Sequence, residues 1–342
     1  MPPANLVFLL DVSGSMQGPD RLPLLKKSML LLTEQLRPQD RVAIVVYAGA
    51  AGVVLPSTPG DRGSIIREAL MQLEAGGSTA GGAGIELAYA IARENFVAGG
   101  NNRVILATDG DFNVGPSDQD DLLELIERKR TSGVYLTVLG FGRGNYQGGT
   151  MQELADRGNG NHAYIDGELE ARKTLIEEFG GTLVTVAKDV KVQLAFDPAA
   201  VASYRLIGYE NRLLETEDFD DDTKDAGEMG AGHRVTVLYE IVPAGYAESL
   251  GELRVRYKSP QGGASEQIVQ AVSGRESASP SADLTWATSV AEFAMLLRDS
   301  EYLGDGNYRD CIARAGAALG EDPQGYRGQM IDLMRRASRL AR

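Results

Sequence analysis

Apolar residues along the chain follow one pattern up to about residue 188 and another beyond it. In the first part, unbroken apolar runs at residues 6–10, 41–47, 103–107 and 135–140 read as strands buried on both faces of a parallel sheet. Residues 53–55 make a short strand suited to an edge, and residues 161–165 make the last one. Between these runs the spacing becomes helical. Leu25, Met29, Leu32 and Leu36 form a stripe on a helix over residues 21–36, whose first turn tolerates Pro23. Further helices are expected over residues 63–73, over 84–95 with Leu87, Ala88, Ile91 and Ala92 inward, and over 150–157. Ser117-Asp118-Gln119-Asp120 resembles a cap for a helix that runs to Ser132 and stops at Gly133. A last helix from Glu168, carrying Leu175, Phe179 and Leu183, is expected to end near Lys188. Strands alternating with helices define an α/β fold with a doubly wound, mostly parallel sheet.

After residue 188 the period shortens to two. Val190, Val192, Leu194 and Phe196 alternate with Lys191, Gln193 and Ala195, and residues 204–207, 235–242, 253–257 and 268–272 add further strands. No helix interrupts them, so the expectation is a small β-sandwich-like domain. It looks short of strands, and sequence preceding Met1 is expected to complete it. The acidic run from Glu215 to Asp222 lacks the spacing and closing glutamate of an EF-hand, so it reads as a solvated, mobile loop. A Ser-rich linker follows, then a helical segment over residues 284–298, 308–319 and 326–340. Trp286, Phe293, Met295, Leu297, Met330 and Leu333 read as packing residues, and Cys311 as a buried small hydrophobe. The expected organisation is therefore residues 1–187, 188–273, a linker at 274–283, and 284–342.

The 342 residues, 43% hydrophobic, suffice for two or three domains. A net charge of −14 argues against nucleic acid or an anionic membrane surface as partner. One cysteine forbids an internal disulfide and a cysteine-rich zinc site, and the two histidines, His162 and His233, read as ordinary turn residues. No apolar run is long enough for a transmembrane helix, and no signal peptide is visible. A strand that begins almost at the first residue suggests a piece of a longer protein.

The chemistry concentrates at strand ends. The first apolar run closes in Asp11-Val12-Ser13-Gly14-Ser15, which presents a carboxylate and two hydroxyls where open α/β sheets bind ligands. These groups make a poor catalytic triad but a good half-shell for a hard divalent cation. The glycine-rich stretch Gly76-Gly77-Ser78-Thr79-Ala80-Gly81-Gly82 offers Thr79, and the run ending Thr108-Asp109-Gly110 offers Asp109. All ligands are oxygen, which favours Mg²⁺, with Mn²⁺ or Ca²⁺ as alternatives.

In this order and context, Asp11, Ser13, Ser15, Thr79 and Asp109 resemble the metal-ion-dependent adhesion site of the von Willebrand factor A (VWA) family. The stretches at residues 187–193 and 204–212 look like the bacterial YfbK-like proteins, which carry a VWA domain followed by a C-terminal domain of uncharacterised role. The resemblance implies that Ser13, Ser15 and Thr79 bind the ion directly and that one or both aspartates act through water. One coordination position is then left for an Asp or Glu carboxylate of a partner protein. It also suggests the cell envelope, as an exported protein or lipoprotein. A metal-dependent protein-binding module, not an enzyme, is the leading reading. An adaptor or co-chaperone working with a separate AAA+ ATPase is the alternative, since no Walker motif is present. A Mg²⁺-dependent phosphoryl-transfer enzyme with Asp11 as nucleophile fits less well, because Ser13 stands where that chemistry wants a second Asp.

Overall fold

A computed structural model describes residues 2–77, 81–110, 119–144, 147–178, 185–209, 213–224, 226–275 and 279–341. The described residues group into two compact units, each treated by itself below. One comprises Met1–Val190, Asp225–His233 and Tyr257–Ala264, the other Lys191–Lys224, Arg234–Arg256 and Ser265–Arg342.

The first unit is built on six strands, β1 (Ala4–Asp11), β2 (Arg41–Tyr47), β3 (Ala51–Pro59), β4 (Asn101–Thr108), β5 (Val134–Phe141) and β6 (His162–Ile165). Their order in the sheet is β3-β2-β1-β4-β5-β6, parallel except for β3, which runs antiparallel at the edge. The chain moves outward from β1 on one side and returns to β4 on the other. The point where strand order reverses therefore lies between β1 and β4.

Two helical layers cover this sheet, and the alternation of β1 divides its side chains between them. Leu6, Phe8 and Leu10 pack with Leu25, Met29 and Leu32 of α1 (Leu22–Thr33) and with Ile66 and Leu70 of α2 (Gly63–Met71). Val7 and Leu9 enter the opposite layer with α3 (Gly81–Glu94), α4 (Gln119–Arg130) and α5 (Gly148–Arg157). These β1 side chains are fully buried, each contributing on the order of 1.5–3 kcal/mol through removal from water. The doubly wound reading thus holds, with a shorter first helix than the apolar stripe suggests: α1 ends at Thr33, and a turn at Glu34 and Gln35 takes the place of its expected last part.

A polar group also lies within this core. Arg103 on β4 is only 2% exposed. Its guanidinium donates to Thr137 Oγ1 at 2.7 Å and lies 5.8 Å from the centre of the Tyr135 ring. Burial pulls its pKa down to about 10 against the opposing pull of Tyr135 and Glu228. Tyr135 in turn accepts a hydrogen bond from Lys188 Nζ at 2.9 Å.

One sequence expectation fails after residue 168. Helix α6 covers only Glu168–Arg172 and continues as a wide turn through Lys173–Glu177, while β7 already runs from Thr185 to Phe196. The expected helix to Lys188 is therefore replaced by strand, and Phe179 and Leu183 lie outside the described residues. The physical cause is tertiary pairing. Thr185, Ala187 and Val190 register against β9 (Gly227–Gly230), a glycine-rich strand that no apolar pattern announces. The ladder shifts register between Ala187 and Val190, where Asp189 takes a positive φ and pairs with Lys258 at 2.9 Å.

The remaining strands are β8 (Val201–Ile207), β10 (Leu238–Pro243), β11 (Ser249–Lys258) and β12 (Glu266–Ser273). They form an antiparallel β8–β10 pair and a four-stranded sheet ordered β12-β11-β7-β9. Phe196, Tyr204 and Tyr239 cluster with tilted and edge-on rings, their centroids 4.5–6.3 Å apart. Helices α7 (Ala282–Leu297), α8 (Tyr308–Ala317) and α9 (Tyr326–Leu340) bury Phe293, Cys311, Ala315, Ile331 and Met334 among themselves. Trp286 and Met330 pack against this cluster, whereas Leu297 and Leu333 face solvent, contrary to expectation. Cys311 is the buried hydrophobe the stripe suggests, its thiol pKa raised by burial.

The acidic run is also more ordered than its composition suggests. Phe219 sits 3% exposed at the end of a short helical turn. Arg256 pairs with Asp220 at 3.0 Å and Asp222 at 2.9 Å, so part of the mutual repulsion is neutralised by a cation distant in sequence.

Candidate metal centre

The carboxyl ends of β1 and β4 carry the two aspartates. Asp11 is fully buried, and both of its oxygens are engaged. Oδ1 accepts from the Ser13 N–H at 2.9 Å, while Oδ2 accepts from the Thr108 hydroxyl at 3.0 Å and the Tyr47 hydroxyl at 3.2 Å. Register explains these partners: Asp11 lies opposite Tyr47 on β2, and Leu10 opposite Ala107, one residue before Thr108. Burial raises the Asp11 pKa above the usual carboxylate value, and the charge of Asp109 adds to that push against the hydrogen bonds.

After Asp11 the chain turns through a single 3-10 turn, Gly14–Gln17. This brings the hydroxyls of Ser13 and Ser15 to 3.0 Å from each other. The glycine-rich loop is tied to the same turn by backbone: Gly14 N donates to Gly77 O at 3.0 Å, and Gly76 N to Val12 O at 2.8 Å. Gly77 has φ +85°, a conformation that favours glycine. Thr79, two residues further on, lies outside the described residues.

Asp109 is 1% exposed, just past the end of β4, and Gly110 with φ +92° turns the chain away. Facing it is a group the apolar pattern treats merely as a helix start. Arg21 Nη1 stands 3.2 Å from Asp109 Oδ2 and also donates to the Ser15 carbonyl, while Nη2 donates to the Arg143 carbonyl at 3.0 Å. The loop after β5 leaves room for it. A Cβ on Gly142 would come within 2.5 Å of Arg21 Nε.

The structure thus brings together Asp11, Ser13, Ser15 and Asp109. It adds three residues that motif reading missed: Tyr47, Thr108 and Arg21. The signal for Thr108 was its place beside Asp109 at a strand end. Nothing in the local sequence marks Tyr47 or Arg21, whose roles come from register and loop packing. Among the described residues no three His, Cys, Asp or Glu side chains gather as a metal cluster. An ion held here would rely on hydroxyls as much as on carboxylates. Buried acid paired with hydroxyls, without sulfur or imidazole, fits a hard divalent cation.

This fold and strand-end site define a class. The von Willebrand factor type A domain matches residues 5–178, half of the chain, and the chain belongs to that family. A second match, to the C-terminal domain of the uncharacterized protein YfbK, covers residues 181–252 and 245–340. In particular, the chain is 44% identical to the uncharacterized protein YfbK of Escherichia coli K12, an alignment that takes in 98% of this chain and 61% of that protein. It is 29% identical over 180 residues to the uncharacterized protein sll0103 of Synechocystis, covering 52% of this chain and 41% of that one. The chain therefore spans about two to three fifths of the length of these relatives. Among solved structures, a von Willebrand factor type A protein from Catenulispora acidiphila covers 98% of this chain and 82% of its own, with a TM-score of 0.52 at 18% identity. That likeness concerns the fold. VWA domains commonly mediate protein–protein interaction and often bind a divalent cation. No helix among the described residues is long and apolar enough to cross a membrane.

Proposed function

We propose that the chain is a metal-dependent protein-binding module. Ser13, Ser15 and Thr79 hold a divalent cation, Mg²⁺ foremost, with Asp11 and Asp109 supplying the compensating charge. A coordination position is left for an Asp or Glu carboxylate of a partner protein. The observation that carries this reading is the pair of buried carboxylates at the reversal of strand order, beside two hydroxyls 3.0 Å apart. When bound, the ion supplies a localised positive charge for the incoming acid, a charge-assisted contact at the centre of an interface.

The hydrogen bonds of Asp11 support its role as a charge acting through water. Ser13, Thr108 and Tyr47 already occupy its two oxygens, and they fix the carboxylate's orientation. A carboxylate held by three donors is also a weaker nucleophile than a free one, which speaks against Asp11 as a phosphoryl acceptor.

Capture of partners in Mg²⁺ and in EDTA, followed by affinity measurements on parent and Thr79→Ala chains, tests the proposal. Binding is expected to be lost in EDTA and weakened about tenfold or more by Thr79→Ala in Mg²⁺, although no charge is removed. Single substitutions typically cost about 1 kcal/mol of stability. Misfolding is therefore not the expected route, and matched melting temperatures check it. Equal affinity in all four conditions would move binding to another surface.

A further inference from the structure

We propose that Arg21 is a resident counter-cation of the metal centre, holding Asp109 when no divalent ion is bound and giving up that carboxylate when an ion enters. This rests on the metal-centre reading above and extends it to a residue that sets the ion affinity. The observation is a seat built from three separate segments: Asp109 after β4, the Ser15 carbonyl after β1 and the Arg143 carbonyl after β5. Arg21 reaches across from the start of α1, and its side chain is 20% exposed, with that of Asp109 fully buried. Gly142, at φ +75°, leaves the space its Nε fills. The loop carrying Gly142 is itself fastened, since the Tyr164 hydroxyl donates to the Gly142 carbonyl at 2.7 Å.

Electrostatics supplies the function. Asp11 and Asp109 are both buried acids, at the carboxyl ends of the neighbouring strands β1 and β4. Without a cation, two such carboxylates repel each other in a medium that screens poorly. Arg21 supplies one positive charge from within the chain. A divalent ion shared by Asp109 and the Ser13 and Ser15 hydroxyls would face a guanidinium 3.2 Å from the same carboxylate. The ion and the guanidinium would then compete for that one carboxylate. Ion binding and the Arg21–Asp109 contact are therefore alternatives, and the apparent affinity for the ion falls by the fraction of molecules in which Asp109 is not already taken. A seat occupied about nine times in ten would lower the apparent affinity about tenfold.

The test is isothermal titration of Mg²⁺ and Mn²⁺ into the full chain and into Arg21→Gln, which removes the charge and leaves a shorter, polar side chain. Melting temperatures are recorded in EDTA. Arg21→Gln is expected to bind either ion about tenfold tighter and to melt lower than the parent in EDTA. Arg21→Lys, which keeps a cation but cannot bridge the three acceptors, should fall between them and carries the comparison if Arg21→Gln does not fold. Binding by the variant alone would support the proposal in its strongest form. Equal or weaker ion binding by both variants would overturn the counter-cation role while leaving the metal centre intact. Absence of ion binding in every chain would overturn both, and it differs from the previous outcome in the parent's own titration.

Discussion

Asp11→Asn is expected to abolish the rise in melting temperature that Mg²⁺ gives the parent chain. An ion that binds the folded chain alone stabilises it by mass action, about 2.7 kcal/mol at a hundredfold excess over its dissociation constant. For a unit of this size that corresponds to roughly 5–10 °C. Asparagine preserves the shape of the side chain and removes its charge, leaving Asp109 as the single acid at the site. The variant will carry a cost of its own, since one side of the amide must present N–H groups to donors. With the amide oxygen kept on the Ser13 N–H, the Thr108 and Tyr47 hydroxyls must turn from donating to accepting, which disturbs their other contacts. That penalty, on the order of 1–3 kcal/mol, appears equally in Mg²⁺ and in EDTA. The quantity that decides is therefore the difference between the two conditions within each chain. A thermal shift measured with Mg²⁺, Mn²⁺ and Ca²⁺ that is flat in the parent would remove the site assignment. A shift of the same size in Asp11→Asn would mean that the ion binds elsewhere.

What the sequence made legible follows from how local each signal is. Strands buried on both faces must be apolar throughout, so β1, β2, β4 and β5 announce themselves as runs, and the acids that close β1 and β4 mark the ligand end of the sheet. The boundary at the end of the first domain is different. Residues 168–188 carry leucines at helical spacing, yet the segment from Thr185 is held extended by a strand some forty residues further along the chain. That partner, Gly227–Gly230, has three small or polar residues and Met229, which no periodicity test recognises. The acidic run misleads for the same reason. Its charges predict an open loop until Arg256 is placed among them. At the proposed metal centre, Asp11, Ser13, Ser15 and Asp109 are adjacent to strand ends, where the sequence draws attention to them. Arg21, Tyr47 and Thr108 serve the site through register and loop packing. Arg21 matters most among these, because the motif by itself suggests two acids facing one another with only hydroxyls between them. The folded chain provides a cation of its own at Asp109.

The other large effect is expected at the opposite end of the same sheet. Asp40 is 3% exposed in the turn between α1 and β2. Its carboxylate accepts from the Ala4 N–H at 2.8 Å, the Arg37 N–H at 2.8 Å, and the Arg37 guanidinium at 2.8 and 2.9 Å. Its backbone carbonyl accepts from Gly60 N at 2.8 Å, so one residue fastens the start of β1, the turn and the segment after β3. Asp40→Ala takes the acceptor from the Ala4 and Arg37 N–H groups and the carboxylate partner from a partly buried guanidinium, which costs on the order of 3 kcal/mol. A fall of roughly 10 °C in melting temperature is expected. The Mg²⁺-induced rise should persist, because Asp11 and Asp109 of the proposed metal site are at the other ends of their strands. Acid gives an independent reading. Burial works to raise the Asp40 pKa, but the Arg37 fork and the two backbone N–H groups outweigh it and hold the group below the usual carboxylate value of 3.8. The unfolded chain therefore binds a proton at this residue before the folded chain does. The stability it contributes is complete above the unfolded pKa and is lost as pH falls through the lower folded value. Denaturant unfolding at pH 7, 5, 4 and 3 should show Asp40→Asn less stable than the parent at pH 7, with the gap narrowing below about pH 4. A gap that stays constant down to pH 3 would mean that the carboxylate's charge contributes nothing there and that the turn is held by shape alone.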